Sequence, residues 1–221
     1  MKNKLIVFDI DDTLYDEIDY VKSGYRAVAD YVEKKYGVQD IYDRLMTLFA
    51  KSPKNVFNRL LDELSNRYDD SEVIDLVNTY RRHKPDIKLS HEISDTLNIL
   101  KNKYYLAVVS DGNYETQKLK CESLGLDEFF NAIVLTDRYG KDYWKPSRKP
   151  FDILSNKFGI KLNDMYYVGD NPAKDFYLSI YGINTVRFYN PNGVHFAEKY
   201  KDNIVEKYRI DKISGIIELL D

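Results

Sequence analysis

One cysteine, Cys121, stands in 221 residues, which excludes an internal disulfide and fits a reducing compartment. Its thiol falls on the buried face of an expected helix and reads as a small apolar side chain. An excess of charge of one sign is also missing. The 33 Lys and Arg nearly balance 36 Asp and Glu, and the net charge of −3 gives no sign of a nucleic-acid surface. Long apolar runs are absent as well. The stretch that follows Met1-Lys2-Asn3-Lys4 stops at Asp9, too short for a signal-peptide core, and no run approaches membrane-spanning length. The expectation is a cytoplasmic chain with no membrane or nucleic-acid partner. Neither internal repeats nor low-complexity linkers are seen. What is present is material for a core: 43% hydrophobic residues, 14% aromatic, with 20 tyrosines.

The stretch Leu5-Ile6-Val7-Phe8-Asp9-Ile10-Asp11-Asp12-Thr13-Leu14-Tyr15 places four apolar residues directly before three carboxylates among four positions. It reads as a buried strand whose carboxyl end opens into a polar pocket. Side chains alternate along a strand, so Asp9 and Asp11 share one side while Ile10 stays in the core. Carboxylates held that close repel, and a bound cation or a shared proton is the usual remedy. The rival reading is an acidic turn that caps the next helix.

Helical spacing follows. Val21, Tyr25, Val28, Val32 and Tyr36 form one stripe with a stop at Gly37, and further helices are expected at 40–50, 54–67 and 72–82. From residue 88 the pattern alternates. Helices at 91–102, 114–124, 150–158, 173–181 and 213–220 interleave with strands at 104–109, 132–135, 165–168 and 185–188, which implies right-handed crossovers and a parallel sheet. The expected architecture is a doubly wound α/β core over 1–15 and 88–221, with an all-helical insertion at 16–87. In such sheets ligands bind at the carboxyl ends of the strands.

Polar residues stand at three further strand ends or just beyond them. Ser110-Asp111-Gly112-Asn113 offers a hydroxyl and free backbone N–H groups before a helix, an anion-binding arrangement whose simpler rival is a turn with an N-cap. Lys145-Pro146 fixes a positive charge ahead of Phe151, and Lys149-Pro150 forms a second such pair, read as a solvated lysine in a first helical turn. Val168-Gly169-Asp170-Asn171-Pro172-Ala173-Lys174-Asp175 sets one carboxylate at a strand tip and another on the following turn.

Taken together, Asp9-Ile10-Asp11-Asp12-Thr13, Ser110, Lys145-Pro146 and Gly169-Asp170 with Asp175 resemble, in order, the four motifs of the haloacid dehalogenase (HAD) superfamily. The helical insertion resembles the small C1 cap of its subfamily I. The combination of Asp-Asp-Thr-Leu-Tyr, Gln117-Lys118 and Gly-Asp-Asn-Pro is most similar to the branch that contains pyrimidine nucleotidases and N-acylneuraminate-9-phosphatase. By this resemblance the chain is a Mg²⁺-dependent phosphatase of small-molecule phosphomonoesters that works through an aspartyl phosphate. Asp9 is then the nucleophile and Asp11 the acid and base. The resemblance also gives Mg²⁺ to the carboxylates of Asp9 and Asp170 and the backbone carbonyl of Asp11. Ser110, Asp111, Gly112 and Lys145, with a weaker contribution from the Asp12 backbone, bind the phosphoryl group. Asp175 supports the metal site, either through a water on the metal or from behind its ligands, and Thr13 ties the turn. Lys51, Lys54, Asn55 and Arg59 in the insertion are weak candidates for reading the organic part of the substrate, whereas His83 is assigned to structure or solvent. A phosphomutase and a noncatalytic phosphate-ligand binder are the alternatives. The presence of Asp11 disfavours haloalkanoate chemistry, which has no leaving alkoxide to protonate. A monomer or weak homodimer is expected.

Overall fold

A computed structural model describes residues 2–64 and 68–220. It divides into two compact units, Met1–Glu17 with Lys88–Asp221, and Ile18–Ile87.

The first unit is built on a six-stranded sheet. Its strands are β1 (Leu5–Phe8), β2 (Tyr105–Ser110), β3 (Ala132–Leu135), β4 (Met165–Gly169), β5 (Asn184–Phe188) and β6 (Tyr208–Ile210), in the order β3-β2-β1-β4-β5-β6. Every pairing is parallel. All four side chains of β1 are fully buried, as a central strand covered on both faces requires. Phe8 lies level with Val108 on one side and Val168 on the other. The chain runs outward from β1 to both edges, so strand order reverses beside it. Asp9, Ser110 and Asp170 all stand at or just past strand ends at that reversal, where the two sets of crossovers part and leave a crevice.

The second unit is helical: α1 (Glu17–Tyr36, which starts at the last residue of the first unit), α2 (Ile41–Lys51), α3 (Val56–Leu64) and α4 (Asp70–Arg82). Their apolar stripes meet in one cluster that includes Val21, Val28, Val32, Leu45, Leu60, Leu61 and Leu76. The last three residues of the helix expected at 54–67 lie outside the described residues. Asp69 and Glu72 close a reciprocal capping box at the start of α4. His83 is structural: its Nδ1 is 2.6 Å from the Tyr80 carbonyl and its Nε2 3.0 Å from the Ser23 hydroxyl. Among the described residues no helix is long and apolar enough to cross a membrane.

The core helices are α5 (His91–Lys103), α6 (Tyr114–Ser123), α7 (Lys149–Phe158) and α8 (Gly215–Leu220). Phe151 and Leu154 of α7 pack with Leu5, Val7, Val109 and Tyr167 on one face of the sheet. Two features depart from the sequence reading. The α-helix expected at 173–181 is instead a run of turns followed by a 3₁₀ segment, Phe176–Tyr181. Here the Asn171 side chain accepts from Ala173 N at 2.9 Å, the Ser179 hydroxyl donates back to the Phe176 carbonyl, and Gly182 ends the segment at φ 88°. Local side-chain bonds and an early stop leave no room for an α-helical ladder. The short edge strand β6 was not anticipated, because three residues among polar neighbours carry no alternation to detect.

Candidate active site

The strand ends converge on a cavity of about 210 Å³ lined by Asp9, Asp11, Glu17, Ser110, Gly112, Gln117, Lys120, Trp144, Lys145, Asp170, Lys174 and His195, among others. Its floor is an ion cluster. Lys145 Nζ donates to Asp9 Oδ2 at 2.7 Å, lies 3.1 Å from Asp175 Oδ1, and donates to the Tyr167 hydroxyl at 2.6 Å. The Tyr167 phenol, pushed well above its ordinary range by burial and by the Asp175 charge, keeps its proton and donates to Asp175 Oδ1 at 3.3 Å. Asp175 Oδ2 accepts from Asn171 N at 2.9 Å. Of Lys145-Pro146 and Lys149-Pro150, only the former brings its lysine to the cluster. Lys149 is exposed and lies 3.5 Å from Asp142.

Asp9, Asp170 and Asp175 can each bring one carboxylate oxygen within 4.8 Å of the others, all three being buried. One ammonium does not balance three carboxylates. Burial pushes Asp170 up to about 9, with the charges of Asp175 and Asp9 adding to it, and its Oδ2 is buried without a hydrogen-bond partner among the described residues. Burial likewise raises Asp9 to about 6, against the opposing pull of Lys145. Excess negative charge, an orphaned carboxylate oxygen and all-oxygen donors fit a small hard cation. Gly169 makes the convergence possible, since a Cβ there would collide with Asp175 Oδ2.

Asp11 lines the same cavity. Its Oδ1 accepts from Lys120 Nζ at 2.6 Å and from the Tyr15 hydroxyl, and its Oδ2 from Gln117 Nε2 at 2.7 Å. Burial alone would raise its pKa, but the Lys120 charge, helped by the hydrogen bonds from Lys120, Tyr15 and Gln117, holds it below the ordinary value. Burial and the Asp11 charge push neighbouring Glu17 up to about 7. Gln117 Nε2 also lies 2.9 Å from Ser110 Oγ and 2.7 Å from the Asp111 carbonyl, which links Asp11 to the second strand end. Asp111 itself braces the loops: its carboxylate accepts from the Thr136 hydroxyl at 2.8 Å and from Lys145 N at 3.1 Å. Gly112 adopts φ 122°, a conformation open to glycine at little cost.

Asp12 does what the rival reading of the acidic stretch describes. Its chain is left-handed at φ 52°, and its carboxylate accepts from Glu17 N at 2.9 Å and Val194 N at 2.7 Å, so it caps the start of α1. The Thr13 hydroxyl, among the described residues, has no partner; it is Thr13 N that closes the turn on the Ile10 carbonyl. Lys51, Lys54 and Asn55 are exposed on the helical unit, and Arg59 Nη2 donates to the carbonyls of Ser52 and Lys54, tying the turn between α2 and α3. Lys120, Gln117 and Tyr167 were not foreseen as parts of the site. The available signal was a lysine three residues after a glutamine on the helix that follows Ser110, a spacing that puts both on one face.

Residues 6–180 match the model of the haloacid dehalogenase-like hydrolase family. The chain belongs to that family. This HAD hydrolase is 27% identical to a glyceraldehyde 3-phosphate phosphatase of Methanocaldococcus jannaschii over 99% of this chain and 96% of that protein. It is 20% identical to human N-acylneuraminate-9-phosphatase over 98% and 93% of the two chains. Among solved structures, the putative HAD-hydrolase YfnB from Bacillus subtilis, bound to magnesium, superposes with a TM-score of 0.70 at 18% identity, with both chains covered in full. That likeness establishes the shared fold: a parallel sheet flanked by helices.

Proposed function

We propose that this HAD hydrolase is a phosphatase that cleaves a small-molecule phosphomonoester, depends on Mg²⁺, and works through an aspartyl phosphate on Asp9. The carrying observation is the Asp9 carboxylate, with Lys145 at 2.7 Å, beside an Asp170 Oδ2 that has no hydrogen-bond partner among the described residues, in a cavity that Ser110 and Asp11 also line. The Asp9 and Asp170 carboxylates and the Asp11 carbonyl would hold Mg²⁺, which when bound offsets the charge between a carboxylate and a phosphate dianion.

Asp9 attacks phosphorus while Lys145 and the Ser110 hydroxyl stabilise the charge on the transferring group. Asp11 protonates the leaving oxygen as the P–O bond breaks. It then takes a proton from the water that attacks the phosphoaspartate, which frees phosphate and restores Asp9. Asp175 holds Lys145 in place. The phosphatase names of relatives matched over nearly the whole chain support this chemistry. The helical unit is proposed to be the cap that selects the substrate, with Lys51, Lys54, Asn55 and Arg59 as its candidate contacts.

The test is phosphate release from a panel of phosphomonoesters with Mg²⁺ and with EDTA, beside Asp9→Asn. Release that needs the metal and is lost in the variant is expected. Folded protein that releases no phosphate from any ester would sink the reading in favour of a mutase or a binder.

A further inference from the structure

Glu17 opens α1 and lines the cavity, yet the reaction proposed for Asp9 and Asp11 gives it no role. Its backbone N–H is taken by Asp12 Oδ1 at 2.9 Å, which holds the start of the helix beside the end of β1. The side chain is half-buried, and among the described residues neither carboxyl oxygen has a hydrogen-bond or ion-pair partner. A carboxyl drawn out of water and left without a donor costs free energy unless something in the cavity supplies one.

His195 lines the same cavity from the loop after β5. Asp12 fixes the preceding residue by accepting from Val194 N at 2.7 Å, and Glu198 Oε1 lies 2.8 Å from His195 Nδ1. With Nδ1–H given to Glu198, a neutral imidazole presents Nε2 as an acceptor, and among the described residues Nε2 has no partner. His195 and Asp11 both lie close enough to act electrostatically on Glu17. Two acceptors that lack donors therefore stand near the residue proposed to protonate the leaving oxygen.

The lining decides which donor suits them. A second anionic group on the substrate offers no proton and leaves both acceptors unpaired. An ammonium group is opposed by Lys120 and Lys174, which line the same cavity. A hydroxyl donates a hydrogen bond and carries no charge. We propose that Glu17, helped by His195, is a specificity residue that accepts hydrogen bonds from hydroxyls of the leaving group, so that the substrate is the phosphomonoester of a polyhydroxy alcohol, such as a glycerol or sugar phosphate. The assignment rests on the phosphatase reading above. A carboxyl group has an accepting oxygen with or without its proton, so the contact does not depend on the charge of Glu17.

A site built to bond a hydroxyl rejects the analogue that lacks it, because its acceptor is then left unpaired. The experiment measures kcat/KM with Mg²⁺ for racemic glycerol 1-phosphate, propyl phosphate, phosphoglycolate and O-phosphoethanolamine, with p-nitrophenyl phosphate as a general ester. It uses wild type, Glu17→Ala, Glu17→Gln and His195→Ala. Wild type is expected to favour glycerol 1-phosphate over each of the other three alkyl esters by about 10–10²-fold, as one or two hydrogen bonds can supply. Glu17→Ala is expected to lower that preference by about tenfold, chiefly through a loss on glycerol 1-phosphate. Glu17→Gln, whose amide oxygen still accepts, is expected to lower it less, and His195→Ala by about threefold.

With wild type active on p-nitrophenyl phosphate, equal kcat/KM on glycerol 1-phosphate and propyl phosphate would overturn the assignment, as would a preference for phosphoglycolate or O-phosphoethanolamine. A preference for glycerol 1-phosphate that survives Glu17→Ala, or failure of both Glu17 variants to fold by circular dichroism, would also overturn it and leave Glu17 a structural residue. Wild type inactive on every ester, p-nitrophenyl phosphate included, or Asp9→Asn retaining activity, would instead sink the phosphatase reading, and the assignment with it.

Discussion

Replacing Lys145 by methionine keeps most of the side chain's length and removes its charge. The side chain is 3% exposed, its ammonium lies 2.7 Å from Asp9 Oδ2 and 3.1 Å from Asp175 Oδ1, and its charge also acts on Asp170. Its loss leaves buried carboxylates facing one another. Removing one partner of a buried pair costs about 3–5 kcal/mol, and since one cation here serves two carboxylates, the upper half of that range is expected at pH 8 without divalent cation.

The cost must also depend on pH, with a definite sign. Asp9 is raised to about 6 and Asp170 to about 9, above the ordinary aspartate value near 4, so between those values the folded state binds more protons than the unfolded chain. Stability contributed by these groups is therefore present at low pH and lost as pH rises through the folded-state values. Without Lys145 the values move higher still. The variant is expected to take up protons at pH 5 and to lose only about 1–2 kcal/mol there. Urea unfolding followed through Trp144, the sole tryptophan, reads both numbers in the unit that holds the site. A difference from wild type below about 1 kcal/mol at pH 8, or the same at pH 5 and pH 8, would refute the ion-cluster argument.

At pH 7 the Asp170 carboxyl carries a proton in the cation-free protein, so Mg²⁺ binding is expected to release about one proton and to tighten as pH rises toward 9. Titration calorimetry in two buffers of different ionisation enthalpy measures that release; identical heats would contradict it. In the helical unit, a Cβ at Gly24 would lie 2.5 Å from the Tyr80 ring, so Gly24→Ala is expected to cost roughly 1–3 kcal/mol despite alanine's better helix propensity. Thermal melting that shows the alanine variant equal to or above wild type would mean that the ring moves aside freely.

Much of this molecule was open to local reasoning. The buried strand that ends at Asp9 and the Gly169-Asp170 tip are short patterns whose meaning depends on side-chain alternation and on an acidic residue just past an apolar run. The stripes from Val21 to Val32 and at Leu45 and Leu60 likewise declare a helical unit, because period and packing face are set by the helix itself. The segment 173–181 failed for a local reason of another kind: Asn171 and Ser179 divert backbone bonds, and hydropathy does not register that.

The sequence by itself determined the alternating α/β core, the helical insertion pattern, and the carboxylates at the strand ends, since each depends on neighbours a few residues apart. Only the tertiary structure decided which charges meet. Lys145 reaches Asp9 across 136 residues, Lys120 reaches Asp11 across 109, and Asp12 turns away to cap α1 while Asp11 lines the cavity. Those outcomes depend on where the parallel crossovers return the chain and on how each helix is rotated when it packs, and neither is written in any local spacing.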